Sequence, residues 1–236
     1  MSPDAPIDAV LVPQGMEARA VRRGLRRAGA PQPTLVALPM GPSATAACLG
    51  QWLQQRAFWH PPRCLLLGLA GSLSDRYRVG DLAVCATGYC RCDPDGERQA
   101  SYDRALTAWL QQRLGARAGV ARALTHDRLV ASAARKRELA RAYCSDVVEM
   151  EGCAALQALG AGGARLAMLR TIGDGCDHDL PDLSPALGAD GSLRSLPLAG
   201  CLLCQPIRAG RLVRGSLRGV RVLERAVAYL FSGAAG

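Results

Sequence analysis

Three carboxylates stand where predicted strands give way to loops. Glu17 follows the apolar run Ile7 to Pro13 and the turn Pro13-Gln14-Gly15. Glu151 closes the string Val148-Glu149-Met150-Glu151, and Asp174 closes Arg170-Thr171-Ile172-Gly173-Asp174. Carboxyl groups at strand ends can give or take a proton when burial or a neighbouring charge tunes them. Each taken alone has a plainer explanation, because a glutamate at a helix start is favoured by the positive end of the helix dipole. Their combination is what points to a site.

Other reactive residues carry weaker signals. The chain has ten cysteines, read as reduced and mostly buried thiols, since a chain of this length needs no covalent staples. Cys90-x-Cys92 and Cys201-x-x-Cys204 could meet as a thiolate metal site. The first spacing is too tight for the usual knuckle and no histidine lies near either pair, so no metal is expected. His126 and His178 have no partners that mark a nucleophilic triad and read as loop or surface residues. Gly68-Leu69-Ala70-Gly71-Ser72 lacks the lysine and hydroxyl of a phosphate loop and does not match the dinucleotide fingerprint. Its glycines read as places where backbone approaches something closely. Met150 by itself is an ordinary core methionine.

The elements that must position these groups alternate between strand and helix. Strands are predicted at Ile7 to Pro13, Thr34 to Leu38, Arg63 to Leu67, Leu82 to Ala86, Val120 to Leu124, Asp146 to Val148 and Leu166 to Ile172. Helices are predicted over Met16 to Ala28, from a Ser43 cap to about Phe58, over Tyr102 to Leu114 and Ala131 to Ala142, and from Met150 onward. Such alternation predicts an α/β fold, in which ligands bind where strand ends open into loops. The loops at Gln14 to Glu17, Gly68 to Ser72, Val148 to Glu151 and Gly173 to Asp174 are the places to look. No repeat divides the 236 residues, so 1–236 reads as one domain, with 175–206 a Pro-, Gly- and Asp-rich loop or lid and 207–231 a basic C-terminal helix.

Composition narrows the function classes. Hydrophobic residues make up 49% and charged residues 21%, which excludes disorder. Aromatics are only 4%, too few to furnish stacking platforms for single-stranded nucleic acid, and no nucleic-acid partner is expected. No apolar run approaches a membrane span, and Met1-Ser2-Pro3-Asp4 lacks the features of a signal peptide, so a cytoplasmic location is expected. The net charge of +9 comes almost entirely from arginine, Lys136 being the one lysine. Residues 208–225 hold six arginines against one glutamate, placing +5 of that charge in one segment. Arg211, Arg214, Arg218, Arg221 and Arg225 share an arc of roughly 80° on a helix, with Val213, Leu217, Val220, Val227 and Phe231 opposite. A solvated basic face is the simple account; peripheral attraction to an anionic membrane, at the inner face, is the functional one.

Taken together, Gly68-Leu69-Ala70-Gly71-Ser72-Leu73 with Val79-Gly80-Asp81, the VEMEG run from Val148 and RTIGD from Arg170 resemble the superfamily of purine nucleoside phosphorylases and methylthioadenosine/adenosylhomocysteine nucleosidases over about residues 7–180. Asp177-His178-Asp179-Leu180-Pro181, Ala189-Asp190-Gly191 and Gln205-Pro206 before an Arg-rich helix are similar to the hopanoid-associated branch, which splits adenine from adenosylhopane. The resemblance implies a single domain with a central mixed β-sheet flanked by helices and cleavage of a purine N-glycosidic bond. It implies Asp174 as the acid at purine N7, Glu17 as the base on water and Glu151 as the holder of the ribose hydroxyls. Met150 would wall the sugar. Val148, Gly41, Leu69, Ala70, Gly71, Leu129 and Val130 would complete the substrate contacts, Leu129 replacing an aromatic stacker. No cofactor is implied; a homodimer is, with a nucleoside, here a lipid-linked one, as the small-molecule partner.

The sequence departs from that family where Leu69 and Gly173 replace two serines. Without those hydroxyls a phosphate dianion is poorly served, which favours water as nucleophile. Methylthioadenosine/adenosylhomocysteine nucleosidase or a true phosphorylase stands as the alternative activity. A ligand-binding or membrane-associated relative without turnover stands as the alternative from another class.

Overall fold

Alternate residues of β1 (Ala9–Pro13) enter two different cores: Val10 and Val12 one, Ala9 and Leu11 the other. A strand covered on both faces reads as an unbroken apolar run, which is how this segment reads. The computed structural model describes residues 6–29, 32–39, 41–55, 60–90, 96–182 and 203–232. After β1 come α1 (Met16–Ala28), β2 (Thr34–Leu38), α2 (Pro42–Gln54), β3 (Arg63–Ser72), β4 (Leu82–Cys90) and β5 (Arg98–Ser101). Then follow α3 (Arg104–Leu114), β6 (Ala118–Thr125), α4 (Ala133–Tyr143), β7 (Val147–Glu149), α5 (Gly152–Gly160), β8 (Arg165–Asp174) and α6 (Pro206–Phe231). The fold is α/β, with one mixed sheet between helical layers.

The eight strands form one sheet, part of which closes on itself. β3 pairs in parallel with β8, β8 antiparallel with β4, β4 in parallel with β6, β6 in parallel with β7, and β7 antiparallel with β3. β1 and then β2 extend the sheet from β3 in parallel, and β5 lies antiparallel at the outer edge of β4. One core joins the sheet to α1, α3 and α6 through Leu25, Leu110, Leu223, Val227 and Leu230. The other joins it to α2 and α5 through Leu49, Ala155 and Leu159. α4 covers a smaller cluster containing Leu124, Leu139 and Val148. Glu224 of α6, buried at 7% exposure, takes Arg23 and Arg27 of α1 at 2.7 Å each, tying the two helices across the first core.

Several elements differ from the expectations above. Gly68 to Ser72 is strand rather than loop, because β8 pairs along β3 from Arg63 to Gly71, with a bulge between Ala70 and Gly71. α2 starts at Pro42 behind Gly41, leaving Ser43 inside the first turn with no capping bond; the helix ends at Gln54, and Phe58 lies outside the described residues. β5 has no apolar run to announce it and exists through its antiparallel pairing with β4. α3 and α4 start at their caps, where Asp103 accepts from Leu106 N at 2.8 Å and Ser132 from Arg135 N at 3.4 Å.

Two side-chain expectations are corrected. Cys90 and Cys153 form a disulfide between the end of β4 and the start of α5. Chain length said nothing about this pair, because the fold brings the sulfurs together from positions 63 residues apart. Cys48, Cys64, Cys85, Cys144, Cys176 and Cys204 are free, and Cys92 and Cys201 lie outside the described residues. His126 lies in the loop after β6, as expected, but is buried at 6% exposure rather than on the surface, its ring Nδ1 accepting from Arg128 N at 3.2 Å.

α6 keeps its five arginines on the exposed side but buries a different face than expected. Val213 and Leu217 are exposed, while Val220, Leu223, Ala226, Val227 and Leu230 are buried. The helix sets Gly215 and Gly219 against the end of β8, and that contact rotates the apolar stripe. Of residues 175–206, the stretch 183–202 lies outside the described residues. Among the described residues no helix is long and apolar enough to cross a membrane.

Candidate active site

The strand ends of β1, β3, β7 and β8 open into one cavity of about 430 Å³. Glu17, Glu151 and Asp174 all line it, with Met150, Val148, Leu69, Ala70, Gly71, Leu129 and Val130. Gly41 does not. It caps α2 beyond β2, which is separated from β3 by β1, so its loop is one strand away from the hollow. A larger hollow of about 670 Å³ adjoins through Gly173 and Asp174, but neither Glu17 nor Glu151 reaches it. The three carboxylates therefore meet only at the smaller cavity.

Glu17 sits in the first turn of α1, where the helix dipole favours its charge. It accepts from Leu69 N at 2.6 Å, which fixes the carboxylate over β3. Burial pushes its pKa up, opposed by that hydrogen bond and by the field of Arg170. A carboxylate made more basic in this way is a better acceptor of a proton.

Arg170 is the hub that reading the sequence passed over. It is fully buried in the middle of the apolar strand Leu166 to Ile172. A charge inside a core strand must be paired, and that was the available signal. Its Nη2 donates to Glu149 Oε2 and, at 3.1 Å, to Glu151 Oε2. Glu149 in turn accepts from the backbone of Glu151 at 3.0 Å and Gly152 at 2.7 Å, supplying the orphan N–H groups that open α5, and from the Thr125 hydroxyl. Glu149 is thus committed to structure, and Glu151 is held with one guanidinium contact and faces the cavity. Burial pushes Glu151 up to about 7, against the pull of Arg170 and with the push of Glu149 and Glu17.

The glycines of Gly68-Leu69-Ala70-Gly71 have a reason in this site. A Cβ on Gly68 would collide with Arg170 Nη1 and stand 3.0 Å from Glu17 Oε1. One on Gly71 would stand 2.9 Å from Asp174 Oδ2. Both positions are kept bare because charged side chains cross them.

Asp174 ends β8 and is largely covered, its side chain 14% exposed. Lys136 of α4, wholly buried, donates to Asp174 Oδ2 and to Gly175 O at 2.7 Å. Burial raises the Asp174 pKa, and the ammonium opposes the rise. Among the described residues no cluster of three or more histidine, cysteine or carboxylate side chains has the makings of a metal site.

The arrangement is a buried acid, a carboxylate beside a guanidinium and a carboxylate at a helix start, around a hollow walled by aliphatic side chains. The sequence profile of the phosphorylase superfamily matches residues 12–187, and the chain belongs to that superfamily. Its fold is similar to the futalosine hydrolase of Helicobacter pylori strain 26695, at 13% identity and a TM-score of 0.71, covering 94% of this chain and 95% of that one. It is likewise similar to the 5′-methylthioadenosine/S-adenosyl homocysteine nucleosidase of H. pylori, at 14% identity and a TM-score of 0.69, covering 96% and 98%. A putative nucleosidase of the same kind from Francisella philomiragia gives 15% identity, a TM-score of 0.69 and coverage of 94% and 96%. No curated protein matches in sequence.

Proposed function

We propose that this protein is a purine nucleosidase that cleaves the N-glycosidic bond of an adenine nucleoside with water. The observation that carries the reading is the convergence of Glu17, Glu151 and Asp174 on one cavity. The fold, shared with proteins named as nucleosidases and with a futalosine hydrolase, supports it.

The steps follow from charge. As the C1′–N9 bond lengthens, its electron pair moves to the purine and positive charge grows on the ribose. Asp174 gives a proton to N7, so the base leaves neutral. Glu151 takes the ribose hydroxyls and stabilises the positive sugar. Glu17 receives a proton from the water that attacks C1′. Arg170 Nη1, which has no hydrogen-bond partner among the described residues, borders the same point as Glu17 Oε1, so its charge acts on that carboxylate from behind the cavity wall. Leu69 and Gly173 offer no hydroxyl there, which favours water over phosphate.

The finer reading is that the substrate carries a large apolar 5′ group, adenosylhopane being the case the sequence resembles. Supporting it, Met16 and Leu129 line the cavity while 51% and 37% exposed, an apolar rim. The exposed arginines of α6 would hold the protein at an anionic bilayer. Adenosine, methylthioadenosine and an apolar 5′-substituted adenosine, each with and without phosphate, are the test. Free adenine without phosphate is the expected product, fastest from the apolar substrate. Release only with phosphate, or from none, overturns the reading. Co-sedimentation with anionic vesicles at low salt is expected, and its failure removes the membrane part.

A further inference from the structure

The chain contains one lysine, and it is wholly buried against the cavity's acid. Lys136 Nζ meets Asp174 Oδ2 and Gly175 O, while Oδ1 of Asp174 has no hydrogen-bond partner among the described residues. The Lys136 side chain does not line the cavity. Its role, if chemical, must pass through Asp174. Burying an ammonium requires compensation, and here the compensation is the carboxylate and a main-chain carbonyl at the tip of β8.

We propose that Lys136 is the positioning residue for Asp174: it holds the carboxyl through Oδ2, leaves Oδ1 to the base, and neutralises the carboxylate formed when the proton passes to the purine. The inference rests on the nucleosidase reading. In the step, the Oδ1–H bond breaks and an N7–H bond forms, while the C1′–N9 pair moves onto the purine. The charge that appears on Asp174 does so in a covered pocket, where a fixed cation stabilises it far more than water-exposed charges would.

Other charges face Asp174, but at a remove. Glu17, Glu151 and Arg128 line the cavity in front. Behind it, the larger hollow presents Asp75, Arg78, Asp177, His178 and Asp179, with Arg211, Arg214 and Arg218 of α6. Asp179 is engaged with Ala133 N and Arg208, and His178 with Asp177. Lys136 is the charge in contact with the carboxyl.

The test compares wild type, Lys136→Met and Lys136→Arg by adenine release across pH. Lys136→Met is expected to lower kcat about a hundredfold, in the range seen for removal of one preorganised stabilising group. It should also move the alkaline limb of the kcat profile upward by about one pH unit, because the carboxyl keeps its proton longer without the cation. Lys136→Arg should restore kcat to within about tenfold, since the charge returns. A Met variant that folds, loses activity and leaves the limb in place overturns the proposal. So does an Arg variant no better than Met. A second readout needs no substrate: in protein labelled with 15N-lysine, the single Nζ signal should be protected from exchange in wild type and lose that protection in Asp174→Asn. An unchanged signal overturns the pairing. Absence of adenine release from wild type, with the signal behaving as expected, instead overturns the nucleosidase reading and with it the acid role.

Discussion

Arg170 Nη2 lies 3.1 Å from Glu151 Oε2 and also holds Glu149, and the guanidinium that does both is wholly buried. One cation therefore offsets two enclosed carboxylates. Arg170→Met is expected to destabilise the fold by about 3–5 kcal/mol, because the partners stay buried without compensation. Urea denaturation at neutral pH measures this. Arg170→Met with Glu149→Gln should recover part of the loss; a single variant as stable as wild type would show that the network carries no load.

The raised Glu151 carboxyl makes stability and activity run in opposite directions with pH. Below its ordinary value of 4.5 both folded and unfolded chains hold the proton. Between there and about 7 only the folded chain does, so stability falls as pH rises, by about 1.4 kcal/mol per unit and about 3 kcal/mol in all. Above that window the deficit is constant. Glu151→Gln should flatten this part of the profile, read as Tm against pH. Under the proposed function the ionised form holds the ribose hydroxyls, so kcat/KM should rise through about pH 7.

Glu17→Gln and Asp174→Asn should each lower kcat by about 10²- to 10⁴-fold, the usual worth of a general base or acid. Adenine release measured at saturating nucleoside separates this from weaker binding. Added phosphate should rescue neither. Rescue of Glu17→Gln by phosphate would mark the site as phosphorolytic.

Cys90 and Cys153 close a loop of 63 residues, worth about 4 kcal/mol on chain-entropy grounds. A digest without reductant should contain the cross-linked peptide, and reductant should lower Tm. Cys153 follows Glu151 and Gly152 directly, so reduction should also raise KM for the nucleoside. A digest without that peptide would show the thiols to be free.

The element order could be read from the residues because both faces of β1 and β3 are apolar and α1 has a clear outer row of arginines. The three carboxylates were legible for the same reason, each falling where a predicted strand stops. Arg170 and Lys136 were not. A cation in a core strand or on the inner side of a helix differs from a surface one only through its partners, and Glu149, Glu151 and Asp174 lie 19 to 38 residues away in sequence from the cations they meet. β5 and the disulfide escaped likewise, since both depend on what β4 meets at its edge and end rather than on their own residues. Gly41 was placed by analogy alone, and its position beyond β1 and β2 shows how a matching loop can stand apart from a site.

The ring of β3, β8, β4, β6 and β7 gives the carboxylates a common mechanical frame. Asp174 ends one of its strands, Glu151 follows another, and Glu17 hangs from Leu69 in a third. No member of the ring can slide without breaking hydrogen bonds on both sides, so distances among the acids are insulated from whatever docks at the rim. Selection can then reshape the cavity walls, through α6 and the connecting turns, while the spacing of the three carboxylates stays fixed.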